Sequence, residues 1–167
     1  MRRCVDRLPH DRSHLLYDAE EVAGPTKLFQ DSMRRWLIAH LSDDSATDGN
    51  TGNIAEAVVV SKSTGVFCGR VPVDLLFAEW FPSCDLTWNV EEGDDITLGS
   101  QILSISGPSD SVLSCERVVL NILGRLSGIA TRTSEWVSES GSVSIACTRK
   151  TAWGLMDKWA VHVGCLL

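Results

Sequence analysis

What this sequence of 167 residues lacks already narrows its role. Its 6 cysteines, at 4, 68, 84, 115, 147 and 165, include no Cys-x-x-Cys pair. A structural zinc site draws on closely spaced ligand pairs, so none is expected. Most of the cysteines sit beside apolar residues and read as reduced, buried thiols of a cytoplasmic protein. No run of about 18 apolar residues exists, so no transmembrane helix and no membrane partner are expected. The opening Met1-Arg2-Arg3-Cys4-Val5-Asp6-Arg7 has no apolar stretch behind its charges and does not read as a secretory signal. There is no Gly-x-Gly-x-x-Gly, no phosphate-loop signature and no Gly-x-Ser-x-Gly. Cations are in the minority, 15 against 22 acids for a net charge of −7, which weighs against nucleic acid as a partner.

What is present is an ordinary globular composition, 44% hydrophobic and 22% charged, at the length of about one domain. The charge is unevenly placed. Residues 116–158 carry a net +2, and the rest of the chain carries −9. Such a stretch either gathers an anionic ligand or is chance variation on solvated faces.

Residues 1–25 are polar, close on Gly24-Pro25, and read as a loose arm. From Thr26, a fitting N-cap, Leu28, Trp36, Leu37 and Leu41 recur at helical spacing. Residues 42–53 have loop composition. A strand is expected over 54–62, a turn at 63–65 and a short strand at 66–69. A helix suits 71–80, with Pro72 tolerated in its first turn. A strand follows over 85–90, a solvated turn over 91–95, and a strand broken by Gly99 over 96–105. Ser109 or Asp110 then caps a long helix, whose inner stripe is Val119, Ile122, Leu123, Leu126, Ile129 with Ala130, Thr133 and Val137; Gly141 ends it. A short apolar strand is expected over 143–147 and a last helix over 153–163.

Two features can carry chemistry. Arg117, Asn121, Gly124, Gly128 and Arg132 share a second stripe of the long helix. Two interior glycines cost about 1 kcal/mol each relative to alanine, which suits a helix that another backbone must approach, with arginines at either end to meet carboxylate or phosphate. Plain helix packing with solvated arginines explains the same pattern. The second feature is Thr148-Arg149-Lys150-Thr151, directly after a short apolar strand. Ligands of α/β proteins gather at the C-terminal ends of strands, arginine supplies a planar fork, and lysine a point charge. The helix starting near Gly154 can add N–H donors. A basic turn in solvent is the plainer reading. His162 reads as a packed histidine, and core packing is the default for the 6 tryptophans.

The run from Glu116 to Thr131 resembles the interdomain segment of the quinolinate phosphoribosyltransferase family, whose pattern is Glu-Arg-Thr-x-Leu-Asn and then Leu-Ser-Gly-Ile-Ala-Thr. The family's later Thr-Arg-Lys-Thr, Gly-Leu and Lys-Tyr-Ala-Val are matched by Thr148–Thr151, Gly154-Leu155 and Lys158-Trp159-Ala160-Val161. Lys62, Gly65, Val66, Gly69 and Glu92-Gly93-Asp94 fit more loosely. The resemblance implies an α+β fold: an N-terminal α/β sandwich followed by an α/β barrel. It divides the chain into an arm (1–25), the sandwich (26–114), an interdomain helix (115–141) and the first strand and helix of an incomplete barrel (142–167). It implies the joining of quinolinate to phosphoribosyl pyrophosphate with Mg²⁺, giving nicotinate mononucleotide, pyrophosphate and CO₂. Arg149 and Lys150 would contact the quinolinate carboxylates. Arg117 would reach the partner subunit's site across a homodimer interface. Thr148, Thr151 and Lys158 are further candidates, and no catalytic group or metal ligand is assigned.

The departures are specific. Ala152-Trp153 precedes Gly154 where many members have one residue and proline. After Val163-Gly164 the family runs on to further glycines and a His-Arg pair, whereas this sequence reads Cys165-Leu166-Leu167. The barrel strands that carry more substrate cations and the acids for Mg²⁺ and ribose are therefore expected to be missing, and the chain alone to be inactive or nearly so. A paralogue acting on nicotinate or another aromatic acid, or a non-catalytic dimerisation module, are the alternatives.

Overall fold

The computed structural model describes residues 13–18, 24–42 and 52–166. Most of the expected arm (1–12 and 19–23) and of the expected loop (43–51) lies outside the described residues. The described parts of the arm are not loose. A 3-10 turn (Ser13–Leu15) leads into β1 (Tyr17–Asp18), which pairs antiparallel with β2 (Gly24–Pro25). Leu16 is buried, and Tyr17 stacks on Trp159 with ring centroids 5.5 Å apart. Aromatic burial holds a segment whose composition alone suggests freedom.

Helix α1 (Lys27–Ser42) starts where Thr26 accepts the Phe29 N–H at 3.3 Å. Its buried stripe is Phe29, Met33 and Leu37, each four residues from the next. Leu28, expected on that stripe, is 54% exposed: one residue off the 29–33–37 line is a turn of about 100° away from the core.

Strands β3 (Ile54–Val60), β5 (Asp85–Trp88) and β7 (Gln101–Pro108) form an antiparallel sheet in the order β3-β7-β5. The pairs Ala57↔Ile105, Val59↔Leu103, Leu86↔Ile105 and Trp88↔Leu103 put these side chains on the face that meets the helices. Glu56, Val58, Ser104, Ser106 and Thr87 fall on the outer face. The short β4 (Gly65–Val66) and β6 (Asp95–Ile96) pair separately, and a turn at Gly99, with φ of 90°, splits β6 from β7.

Helix α2 (Arg70–Trp80) begins on Glu92, and here the expected solvated turn is corrected at one residue: Glu91, Asp94 and Asp95 are exposed as expected, and Glu92 is not. The Glu92 carboxylate accepts the N–H groups of Gly69 and Val71 and the Trp159 Nε1–H. It supplies the acceptor that the free end of a helix needs, from a loop distant in sequence. Burial outweighs these bonds and raises the Glu92 pKa above the usual carboxylate range.

Helix α3 (Ser109–Glu139) is 31 residues long. Its capping position is Pro108, without a side-chain bond, so neither Ser109 nor Asp110 caps it as expected. Val119, Ile122, Leu123, Leu126, Ala130 and Thr133 are buried, as the inner stripe predicts. Helix α4 (Leu155–Cys165) crosses α3 at backbone distance. A Cβ at Gly164 would collide with the Ala130 carbonyl oxygen and stand 2.7 Å from Thr133 Cβ. The close approach is therefore at Gly164, not at Gly124 or Gly128, where an added Cβ meets nothing within 4 Å.

The expected strand at 143–147 does not form; residues 143–148 have no regular structure and Val143 is 66% exposed. A strand requires a neighbour for its N–H and C=O groups, and the described residues place none beside it. Core packing also fails for one tryptophan. Trp136 is half exposed, its ring 5.2 Å from the Arg132 guanidinium carbon.

The two kinds of glycine are expected to respond oppositely. Gly164→Ala lowers the urea unfolding free energy by about 1–3 kcal/mol through overpacking. Gly128→Ala raises it by about 0.5–1 kcal/mol through helix propensity in open space. Urea melts of both variants check this.

Candidate functional site

The outer stripe of α3 is fully on the surface. Arg117, Asn121, Gly124, Gly128 and Arg132 are all exposed, alternating with buried residues at the 3.6-residue period. Arg117 borders a shallow concavity of about 400 Å³, between Leu113 and Leu120, which are 64% and 46% exposed. A groove of about 490 Å³ runs on between the 61–65 turn and the glycine face, flanked by Lys62 and Arg132. Arg132 is paired with Glu135 at 2.6 Å.

The second candidate segment lies in the irregular stretch before α4. Thr148, Arg149 and Lys150 are exposed, and Thr151 is half-buried. The Thr148 hydroxyl accepts the Lys150 N–H at 3.2 Å and tightens the turn. No ion pair engages Arg149 or Lys150 among the described residues. Lys158 is half-buried on α4, and its charge reaches the Cys147 thiol. Burial outweighs that charge and leaves the Cys147 pKa raised, so this thiol is no ready nucleophile. The Cys115 thiol is pushed up to about 12, first by burial.

The structure adds residues that motif reading passed over. Asp157 is buried, and its carboxylate takes the Arg125 fork at 2.8 and 2.9 Å. It also accepts the backbone N–H group of Trp153, at 3.0 Å. Donors expected to serve an anion at this helix start thus go partly to the protein's own aspartate. Burial pushes the Asp157 pKa up, but the Arg125 and backbone bonds outweigh it and hold the value below the usual range. The Arg125 guanidinium lies 4.9 Å from the Trp153 ring centre, and that ring lies 4.2 Å from Trp36 of α1. The available signal was the mixed charge of 116–158, which holds Arg125 and Asp157; their pairing across 32 residues was invisible to it. His162 is half-buried with its ring 5.5 Å from Trp159, in keeping with a packed histidine.

Residues 41–127 match the family model described as quinolinate phosphoribosyl transferase, N-terminal domain. The chain belongs to the quinolinate phosphoribosyltransferase family. It is 36% identical over 165 residues to the mitochondrial quinolinate phosphoribosyltransferase 2b of Nicotiana tabacum, covering 91% of this chain and 42% of that protein. To the chloroplastic carboxylating nicotinate-nucleotide pyrophosphorylase of Oryza sativa subsp. japonica it is 35% identical, covering 95% of this chain and 45% of that one. Among solved structures, NadC of Streptococcus pyogenes superposes with a TM-score of 0.70 at 31% identity, over 80% of this chain and 52% of its own. The mixed α/β fold of this family is the one described above. The chain spans 42% and 45% of the length of these two plant relatives. No helix among the described residues is long and apolar enough to cross a membrane.

Asp157→Asn is expected to cost about 3 kcal/mol, because it leaves Arg125 beside a buried site without its counter-charge. Since the folded pKa of Asp157 is lowered, its stabilisation is full above the ordinary aspartate value near 4 and is lost as pH falls through the lower folded value. The difference in unfolding free energy between wild type and Asp157→Asn, measured against pH, should shrink in that acid window and stay level above it.

Proposed function

We propose that the chain serves the quinolinate phosphoribosyltransferase reaction, in which quinolinate and phosphoribosyl pyrophosphate give nicotinate mononucleotide, pyrophosphate and CO₂. One observation carries the substrate reading: Arg149 and Lys150 are exposed side by side, with no carboxylate of the described chain paired to them. Two adjacent cations suit two adjacent carboxylates, the arginine by a bidentate fork and the lysine as a point charge. Thr148 and Thr151 flank the pair as further hydrogen-bonding groups, and Lys158 adds positive potential from α4. In this proposal the division at 115 and 142 stands as the sequence suggests.

Arg117 is proposed to act in a second subunit's site. Its exposed apolar neighbours, Leu113 and Leu120, and the bare Gly124 and Gly128 support a homodimer contact along this face. It lies eight residues before Arg125, about 12 Å along the helix axis, so it stands apart from the residue that meets the 152–157 stretch. Mg²⁺ is the cofactor proposed for this reaction; among the described residues no three His, Cys, Asp or Glu side chains stand together as metal ligands. Five free cysteines among the described residues suit a reducing compartment, and the cytoplasm is the one proposed.

Isothermal titration of the 167-residue chain with quinolinate tests this reading. Quinolinate, with two carboxylates, is expected to bind about tenfold more tightly than nicotinate, with one, and Arg149→Gln to weaken it by a similar factor. Equal binding of both acids, or no dependence on Arg149, refutes the assignment. Turnover to nicotinate mononucleotide by this chain is expected to be undetectable, because Arg149 and Lys150 are exposed to water rather than set in a desolvated site.

A further inference from the structure

Arg149 and Lys150 lie in a stretch with no strand or helix of its own, so whatever fixes their direction must come from elsewhere. One tie between residues 143–153 and α4 runs from the Cys165 thiol to the Ile145 carbonyl at 3.9 Å, and the others converge on Trp153. Its carbonyl accepts the Met156 N–H at 3.2 Å, and its own N–H goes to Asp157 at 3.0 Å. The Trp153 ring is held between Trp36 of α1 and the Arg125 guanidinium of α3. Arg125 grips both parts of this arrangement, since its fork also closes on the Asp157 carboxylate. Three helices thus meet at one residue, and Lys150 is only three positions before it. A chain of three or four residues spans at most about 10–14 Å, so a fixed Trp153 restricts where both cations can stand.

We propose that Trp153, Asp157 and Arg125 form a positioning knot that sets the direction in which Arg149 and Lys150 meet an anionic ligand. Bidentate recognition by arginine depends on orientation, and an anchored segment gives up less freedom on binding than a loose one. The knot has a second consequence. Pairing Asp157 with Arg125 keeps a nearby carboxylate from competing for Arg149 and Lys150, so the segment stays cationic. These are positioning residues, and their role rests on the substrate reading above.

The test uses the 167-residue chain and three variants besides Arg149→Gln. Trp153→Ala removes the ring that packs against Trp36 and Arg125, while the backbone N–H, Asp157, Arg125 and the two cations remain. Trp153→Phe keeps the N–H and an aromatic ring. Arg34→Met breaks a different tie, from α1 to Glu79 of α2, and controls for general loosening. Two quantities are measured well below the unfolding temperature: quinolinate affinity by titration, and the rate of tryptic cleavage after Arg149 and Lys150 by mass spectrometry. Trp153→Ala is expected to weaken binding and to speed that cleavage by about tenfold each, since cleavage follows local opening. Trp153→Phe and Arg34→Met are expected to stay within about twofold of wild type on both readouts.

The knot is refuted if Trp153→Ala binds as wild type does while Arg149→Gln is impaired, or if Arg34→Met matches Trp153→Ala. Cleavage that speeds up without loss of affinity also overturns it, because the segment would then be held for no purpose in binding. Should Arg149→Gln and wild type bind alike, the substrate reading fails first, and the knot's role in binding falls with it.

Discussion

The fold depends on the crossing of α3 and α4 at backbone distance, which Gly164 alone permits. With no side chain there, the α4 backbone settles against the Ala130 carbonyl and Thr133. That depth brings three side chains of α4 into reach of three other parts of the chain. Asp157 meets Arg125 on α3. Trp159 meets Tyr17, Phe29 and the Glu92 carboxylate. Met156, buried, joins the common core. Any side chain at 164 would push all these contacts outward together, because packed interiors shift as units.

Polar groups inside this crossing are used economically. Glu92 and Asp157 are both enclosed carboxylates, yet their pKa values move in opposite directions. Glu92 has neutral donors only, two backbone N–H groups and an indole, and its desolvation is not repaid in full. Asp157 has a guanidinium fork, and the charge of that partner outweighs burial. The first organises the start of α2 and leaves no charge partner behind. The second links α3, α4 and the segment carrying Arg149 and Lys150. Helix α3 serves as the common wall, with its inner stripe closing the sheet and its outer stripe left bare.

Much of the helix and strand pattern was legible because it follows from periodicity. The i, i+3, i+4 spacing of α3 and the alternation in β3 are local properties and survive in the folded chain. The assignments that failed were those needing a distant partner. The apolar run 143–147 has strand composition, but no strand lies beside it. Leu28 matched a helical stripe, yet Phe29, Met33 and Leu37 won the buried side because the arm and α4 lie there. Ser109 and Asp110 offered capping groups, while the chain turned into α3 one residue earlier, at Pro108. The turn 91–95 is solvated at Glu91, Asp94 and Asp95, but not at Glu92, because the donors that enclose it come from residues 69, 71 and 159.

From its sequence alone this chain declares its family and its candidate cations, because Glu116–Thr131 and Thr148–Thr151 are contiguous strings whose order is itself the information. Contiguous strings also reveal the two faces of α3. Tertiary structure decided what surrounds those cations. Arg125 and Asp157 are separated by 32 residues, and Trp153 stacks on Trp36 from a different helix. Such partners are chosen by the crossing at Gly164. A distance in space between residues far apart in the chain is set by packing, and no local pattern encodes it.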